Sequence, residues 1–420
     1  MQPAPQPTKY AVVISCGNNT NVSAATIDQI CANSTVPGLA SLIDFSGDSL
    51  LARINVGNGP RWLALSSNGA TAYLADASST LNSFLASSTP VNPLESNSVV
   101  TTTLLPNAQP TAFEITGNYL YVAQPGRSSV GVLNGILNGT LNAALEIPIV
   151  DPAAPTVSQH PVNIVGNYVA QRIYAISQGA NNGGCPTSGT NGSATGIETL
   201  TNSVSSVLPV GVCPIYGVMS SDGKRTFILN EGSGTVTVID SERNQVDPNF
   251  PNGIAVGQGP IWADIYQNGS ILAVVNSVSN TLTLINTSLD SFGHDSPNFG
   301  HVLATIPVGN DPSSVSILQD GSRAYVANKG DGTVSVVNLV NYTVTKTIAL
   351  PQQPCNPTNP NVLCKVHPMS IAATTGTPLG KVYVTSPDTN VLTIIRTDND
   401  TIYENLPLTG DGIQVRVTAP

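Results

Sequence analysis

Short alternating runs of apolar and polar residues recur along this chain in groups of four. Residues 306–338, IPVGNDPSSVSILQDGSRAYVANKGDGTVSVVN, carry the clearest group. Its order is strand, Gly-containing turn, Pro, strand, Asp-Gly turn, strand, polar loop, strand. Residues 54–85, 207–239 and 254–285 repeat that order. Runs of four to eight residues bounded by Gly, Asn, Asp and Pro predict strands and tight turns. Four short strands per period of roughly 40–50 residues predict a radial repeat, a β-propeller.

Two landmarks count the blades independently. The apolar strand that ends in a small polar residue occurs as YAVVIS (10–15), AYLADA (72–77), LYVAQP (120–125), IYAISQ (173–178), TFILNE (226–231), LAVVNS (272–277), AYVANK (324–329) and VYVTSP (382–387). The strand after it gives eight copies as well, from LASLIDF (39–45) to VLTIIR (391–396). Spread over 420 residues, that is about 52 residues per blade, so some loops are enlarged. The expected fold is all-β: an eight-bladed propeller of four-stranded antiparallel blades, with seven blades as the alternative. No Pro-opened strand precedes Tyr10, whereas LPLTGDGIQVRV (406–417) reads as outer strand, turn and inner strand. The C-terminal strand is therefore expected to complete the first blade and remove the exposed edge between last and first blades. Residues 1–8 are expected to be a flexible segment and 9–420 a single propeller domain.

AYVANKGDGTVSVVN (324–338) and FILNEGSGTVTVID (227–240) resemble the YVTN-repeat family of β-propellers of bacterial and archaeal surface and secreted proteins. The likeness is weaker over 99–210. It implies a propeller fold, for which seven blades would be usual, and a surface, secreted or periplasmic setting. Related propellers include lactonases, lyases and haem- or copper-bearing reductases, so the resemblance says little about activity.

Composition narrows the partners. Formal net charge is −10 and charged residues are 10% of the chain, with no basic run. Such a surface does not attract nucleic acid or anionic membrane. No apolar stretch approaches the ~18 residues of a membrane span. The start, MQPAPQPTKY, reads as a mature N-terminus without a targeting segment.

The six cysteines lack CxxC spacing, so secreted disulfides are the better reading. Propeller topology puts Cys16, Cys31, Cys185, Cys213, Cys355 and Cys364 on one face, the top. Here lie the loops between strands two and three and the connections between blades. Cys16–Cys31, Cys185–Cys213 and Cys355–Cys364 are the expected local pairs.

Chemistry-bearing residues are few. His160 and His367 each precede the Pro that opens an inner strand, in blades on opposite sides of the ring, so they cannot share one metal. A turn role is the plainer reading for both. Trp62, Tyr216 and Trp262 stand two residues after that Pro; Arg61 adjoins the first, and Glu114 and Asp264 stand two further on. Aromatic rings with a few charges near a channel mouth suit a sugar or aromatic ligand. Packing between blades is the competing role. No metal and no cofactor is expected: the two Trp are too few for the blade-by-blade Trp of quinone enzymes, and nothing supports an axial His. The expected function is a secreted, cell-surface or periplasmic scaffold that binds a protein or carbohydrate through its stapled top face. A lactonase- or lyase-type enzyme with a site in the channel is the first alternative. A self-assembling layer or filament component is the second.

Overall fold

The computed structural model describes residues 10–17, 37–66, 69–77, 79–86, 99–135, 142–152, 158–167, 170–179, 189–266, 269–291, 294–354, 361, 363–374 and 380–418. The expected flexible segment 1–8 lies outside them. Eight antiparallel sheets of four strands form the blades, their strands in sequence from the inside outward except in blade one, whose inner strand is the last of the chain. Blade seven is the plainest: Pro312–Ile317, Arg323–Asn328, Thr333–Asn338 and Thr343–Ala349. The inner strands of blades one to eight are Asp411–Val417, Pro60–Leu65, Phe113–Thr116, Pro161–Val165, Pro214–Met219, Pro260–Ile265, Pro312–Ile317 and Ser370–Thr374. Blade five departs from the pattern. Its outer strand is broken into Gln245–Val246 and Ile254–Ala255, both paired to Thr235–Asp240.

Burial explains the sequence of each strand. The second strand of a blade packs against neighbouring blades on both faces, so it is apolar at nearly every position; Arg225–Asn230 is buried throughout. The outer strand faces solvent, and Thr343–Ala349 is mostly exposed and Thr-rich.

Two devices join the blades. Tyr73, Tyr121, Tyr174, Tyr325 and Tyr383, each on a second strand, are fully buried. Three of them donate to the strand three–four turn of the next blade: Tyr121 Oη to Asn202 Oδ1 at 2.5 Å, Tyr174 Oη to Asn244 Oδ1 at 3.2 Å and Tyr325 Oη to Asp400 Oδ1 at 2.5 Å. The acceptors have φ of 52°, 55° and 54°, the left-handed turn conformation that Asn and Asp tolerate best. The second device is an Asn at the end of strand two. Asn230, Asn276 and Asn328 are fully buried, and each Nδ2 donates to two hydroxyls on strand three, such as Thr333 Oγ1 and Ser335 Oγ, both at 2.9 Å from Asn328. The Oδ1 of Asn230 and Asn328 accepts the N–H of Gly211 and Gly309 from the incoming connection. A Cβ at Gly309 would stand 2.6 Å from Asn328 Cγ, so the Gly of each V-G phrase is a close-approach requirement.

The ring closes as the sequence leads one to expect. Tyr10–Cys16 pairs antiparallel with Asp411–Val417, from Ala11 opposite Val417 to Cys16 opposite Asp411. A buried ion pair lies across the same joint: Lys381 Nζ of blade eight is 2.5 Å from Asp48 Oδ2 of blade one and also donates to the Phe45 carbonyl. Burial raises the Asp48 carboxyl above its usual range in spite of Lys381.

Candidate functional site

The inner strands alternate, and residues two and four places after the opening Pro face the central channel. A strand rises about 3.3 Å per residue, so these positions form two layers roughly 7 Å apart. The upper layer holds Trp62, Tyr216 and Trp262. Tyr216 and Trp262, from adjacent blades, stack with centroids 4.4 Å apart and planes 16° apart. Trp62 comes from blade two on the far side, yet its ring lies 6.4 Å from Tyr216 and 6.2 Å from Trp262. The three rings therefore meet one another in the channel, while their flanks rest on the blade cores.

The lower layer holds three charged groups. Glu114 and Asp264 stand four residues after Pro110 and Pro260. Arg416 takes the same place in blade one: Val12 pairs with Arg416 as Ala273 pairs with Asp264. Its guanidinium carbon lies 5.3 Å from the Trp262 centroid and 5.9 Å from that of Trp62, within cation–π range. Enclosure by protein pushes the Glu114 carboxyl up to about 8 and that of Asp264 up to about 6; Arg416 opposes both shifts. The Tyr216 hydroxyl is pushed up to about 12, again by burial. Each of these side chains keeps some solvent exposure, because the channel is hollow around it.

That hollow has two lobes, of ≈ 390 Å³ and ≈ 340 Å³. Tyr216, Asp264 and Arg416 line both. Trp62, Glu114 and Asn163 line the first lobe, and Trp262, Tyr266 and Ser316 the second. The lobes take in the later residues of the inner strands, such as Leu65, Met219 and Leu318. They run from the aromatic layer toward the strand one–two hairpins.

Part of this layer also stitches the inner strands together. Asp264 Oδ2 accepts the Ile317 N–H at 2.7 Å, Ser316 Oγ the Ala373 N–H at 3.0 Å, and Gln414 Oε1 the Leu63 N–H at 2.7 Å. Asp264 therefore has a positioning task as well as a lumen face. Among the described residues, the Glu114 carboxyl accepts one hydrogen bond, from the Ile115 N–H at 3.2 Å.

The other expected site residues lie elsewhere. Arg61 is half-buried and lines neither lobe. His160 has φ 46° at the turn before its Pro, where Gln109, Cys213 and Asp311 have φ 50°, 51° and 46°. Its carbonyl accepts the Gln178 N–H at 3.3 Å, as the Asp311 carbonyl accepts the Lys329 N–H. His367 Nδ1 is 2.7 Å from Asp388 Oδ2, and its backbone N–H donates to Asp388 Oδ1. Among the described residues, no three His, Cys, Asp or Glu side chains gather as a metal-binding group. Cys16, Cys213 and Cys364 all stand at the end where blades connect, opposite the hairpins. Cys31, Cys185 and Cys355 lie outside the described residues.

Arg416 was absent from the sequence expectation, although its strand was in it. The closing strand lacks the opening Pro that marks the lumen positions in most other blades. Only its register against Tyr10–Cys16 reveals that Arg416 shares a layer with Glu114 and Asp264.

No protein-family model matches the chain, and no curated protein matches it. Solved structures do. AztD from Citrobacter koseri superposes with a TM-score of 0.64 at 12% identity, covering 98% of both chains. The dihydro-heme d1 dehydrogenase NirN in complex with DHE gives 0.67 at 11%, covering 99% of this chain and 76% of that one. A putative 6-phosphogluconolactonase from Bacteroides fragilis gives 0.54 at 14%, covering 99% of both. At such identities the likeness shows the propeller fold alone.

Proposed function

We propose that this propeller is a binding protein whose ligand enters the central channel from the hairpin end. The observation that carries this reading is the lower layer. Three charged side chains from blades one, three and six converge on a hollow where small apolar residues would suffice for packing. The opposite end is read as a stapled frame, with Cys16–Cys31, Cys185–Cys213 and Cys355–Cys364 as its bridges. In support, none of the described cysteines is a free thiol. Such bridges fit a secreted, cell-surface or periplasmic protein. The buried Asn clamps and the Tyr of strand two are the structural counterpart of the YVTN-like phrases, and they support placing the chain with that group.

Thermal-shift screening of small polar metabolites tests the reading. At least one chemical class should raise the midpoint by mass action, and the rise should vanish in Trp62→Ala or Trp262→Ala. A library without effect, on a protein whose two indoles resist quenching by acrylamide, would show a closed channel and overturn it.

An enzymatic reading draws on one further observation. Burial raises both the Glu114 and the Asp264 carboxyl, Glu114 further, to about 8 against about 6, and a pair of carboxyl groups pushed apart in this way is what an acid and base division of labour uses. Turnover of a lactone that is lost in both Glu114→Gln and Asp264→Asn would favour a lactonase-type enzyme over a binding protein.

A further inference from the structure

The guanidinium of Arg416 is the least satisfied polar group in the channel. It carries five N–H donors in a planar fork. Among the described residues it makes no hydrogen bond and no ion pair; its contacts are the faces of Trp62 and Trp262 and the more distant charges of Glu114 and Asp264. Other cations of the ring contrast with it. Arg172, Arg225, Arg323 and Lys381 each pair with a carboxylate at 2.5–3.0 Å and tie neighbouring strands or blades together. Arg416 ties nothing, yet it lines both lobes of the cavity.

We propose, building on the binding reading above, that the channel recognises a small monocarboxylate, with Arg416 as the group that grips it. Both indoles lie to one side of the guanidinium, 5.3 and 5.9 Å from its carbon with 6.2 Å between them, so its opposite N–H edge remains for a two-point contact with a carboxylate. A lobe of ≈ 390 Å³ admits a ligand of metabolite size. The wall beside Arg416 selects the charge. Glu114 and Asp264 line the same lobe as Arg416, so its single guanidinium is the one cation that the lobe's charged side chains set against a ligand's negative charge. One cation facing one carboxylate suits a monoanion better than a phosphate dianion. Trp62 and Tyr216 supply a flat apolar surface for the body of the ligand.

The chain's two tryptophans are both at this site, so intrinsic tryptophan fluorescence reports on it alone. Benzoate, benzamide, benzylammonium and inorganic phosphate form a probe series of similar size and differing charge. Benzoate should give a saturable change at least ~10-fold tighter than benzamide or phosphate, with benzylammonium weakest. Arg416→Gln should erase the preference for benzoate over benzamide, and Arg416→Lys should keep part of it. Circular dichroism and melting of both variants confirm that the fold persists. Equal binding of benzamide, tighter binding of phosphate or benzylammonium, or a benzoate preference that survives Arg416→Gln would each overturn the carboxylate assignment while leaving channel binding intact. No saturable change with any probe, together with failed acrylamide quenching, would instead remove the binding reading on which it rests.

Discussion

The strand-two clamp and the channel wall are made by the same repeat, yet they behave oppositely around the ring. At the clamp, blades five, six and seven carry Asn230, Asn276 and Asn328 with the same Thr and Ser partners. Blade two substitutes Asp76, which accepts from Thr80 and from Asn82 Nδ2. In these four blades the chemistry shifts but the geometry does not; blades one and four carry Ser15 and Ser177 at this place, and among the described residues their buried hydroxyls have no partner. On the channel wall the same two positions hold Trp, Tyr, Glu, Asp, Arg, Ser and Ala in different blades. Asp264, Ser316 and Gln414 stitch inner strands there, whereas among the described residues Arg416 and Glu114 tie no neighbouring blade. Repetition marks what the fold needs, and its breakdown at one height marks where the molecule is specialised.

Breaking the frame should have the largest effect. Removing residues 411–420 takes away the inner strand of blade one and leaves the edge of Tyr10–Cys16 unpaired. Calorimetry should then show no cooperative transition; an unchanged endotherm would mean that closure contributes little. Next comes the joint's buried ion pair. Lys381→Met strands the Asp48 carboxylate and should cost about 3–5 kcal/mol, whereas adding Asp48→Leu should restore most of that loss. Denaturant titration of both variants separates a stranded charge from lost packing.

Clamp and wall can be set against each other directly. Asn276→Ala removes the donor to Thr281 and Thr283. It should cost about 2–3 kcal/mol without altering the channel. Arg416→Gln should cost about 1 kcal/mol or less, since no hydrogen bond is lost. If Arg416→Gln proved the more destabilising, the distinction between frame and site would collapse.

The smallest effect concerns pH. Glu114 binds its proton more tightly folded than unfolded, up to about 8 against 4.5. The folded state therefore holds more protons between those values, and this group's contribution to stability falls as pH rises through them. Asp264 acts in the same direction over the narrower span up to about 6. Glu114→Gln should be more stable than the parent near pH 8 by at least about 1 kcal/mol, and the gap should close near pH 4.5. Parallel melting curves across that range would remove the case for a strained carboxyl in the channel.

Much of this architecture was legible in the chain. The blade count, the closing strand and the tight turns follow from patterns that span only a few residues, and outside the closing joint hydrogen-bonded neighbours in a blade are neighbours in sequence. The turn that holds His160 was legible for the same reason. The interruption of the outer strand in blade five was not, since VDPNFPNG (246–253) reads as an ordinary loop. Nor was the meeting of Trp62 with Trp262, which are some two hundred residues apart.

What the sequence by itself determined is local: strand, turn, repeat, and the number of blades that the repeats make. What only the tertiary structure decided is which residues share a height in the channel. That depends on the register of each inner strand and on the ring bringing opposite blades together. Arg416 shows the difference. Its strand was predictable from pattern, but its place beside Glu114 and Asp264, against two indoles, exists only once the circle is closed.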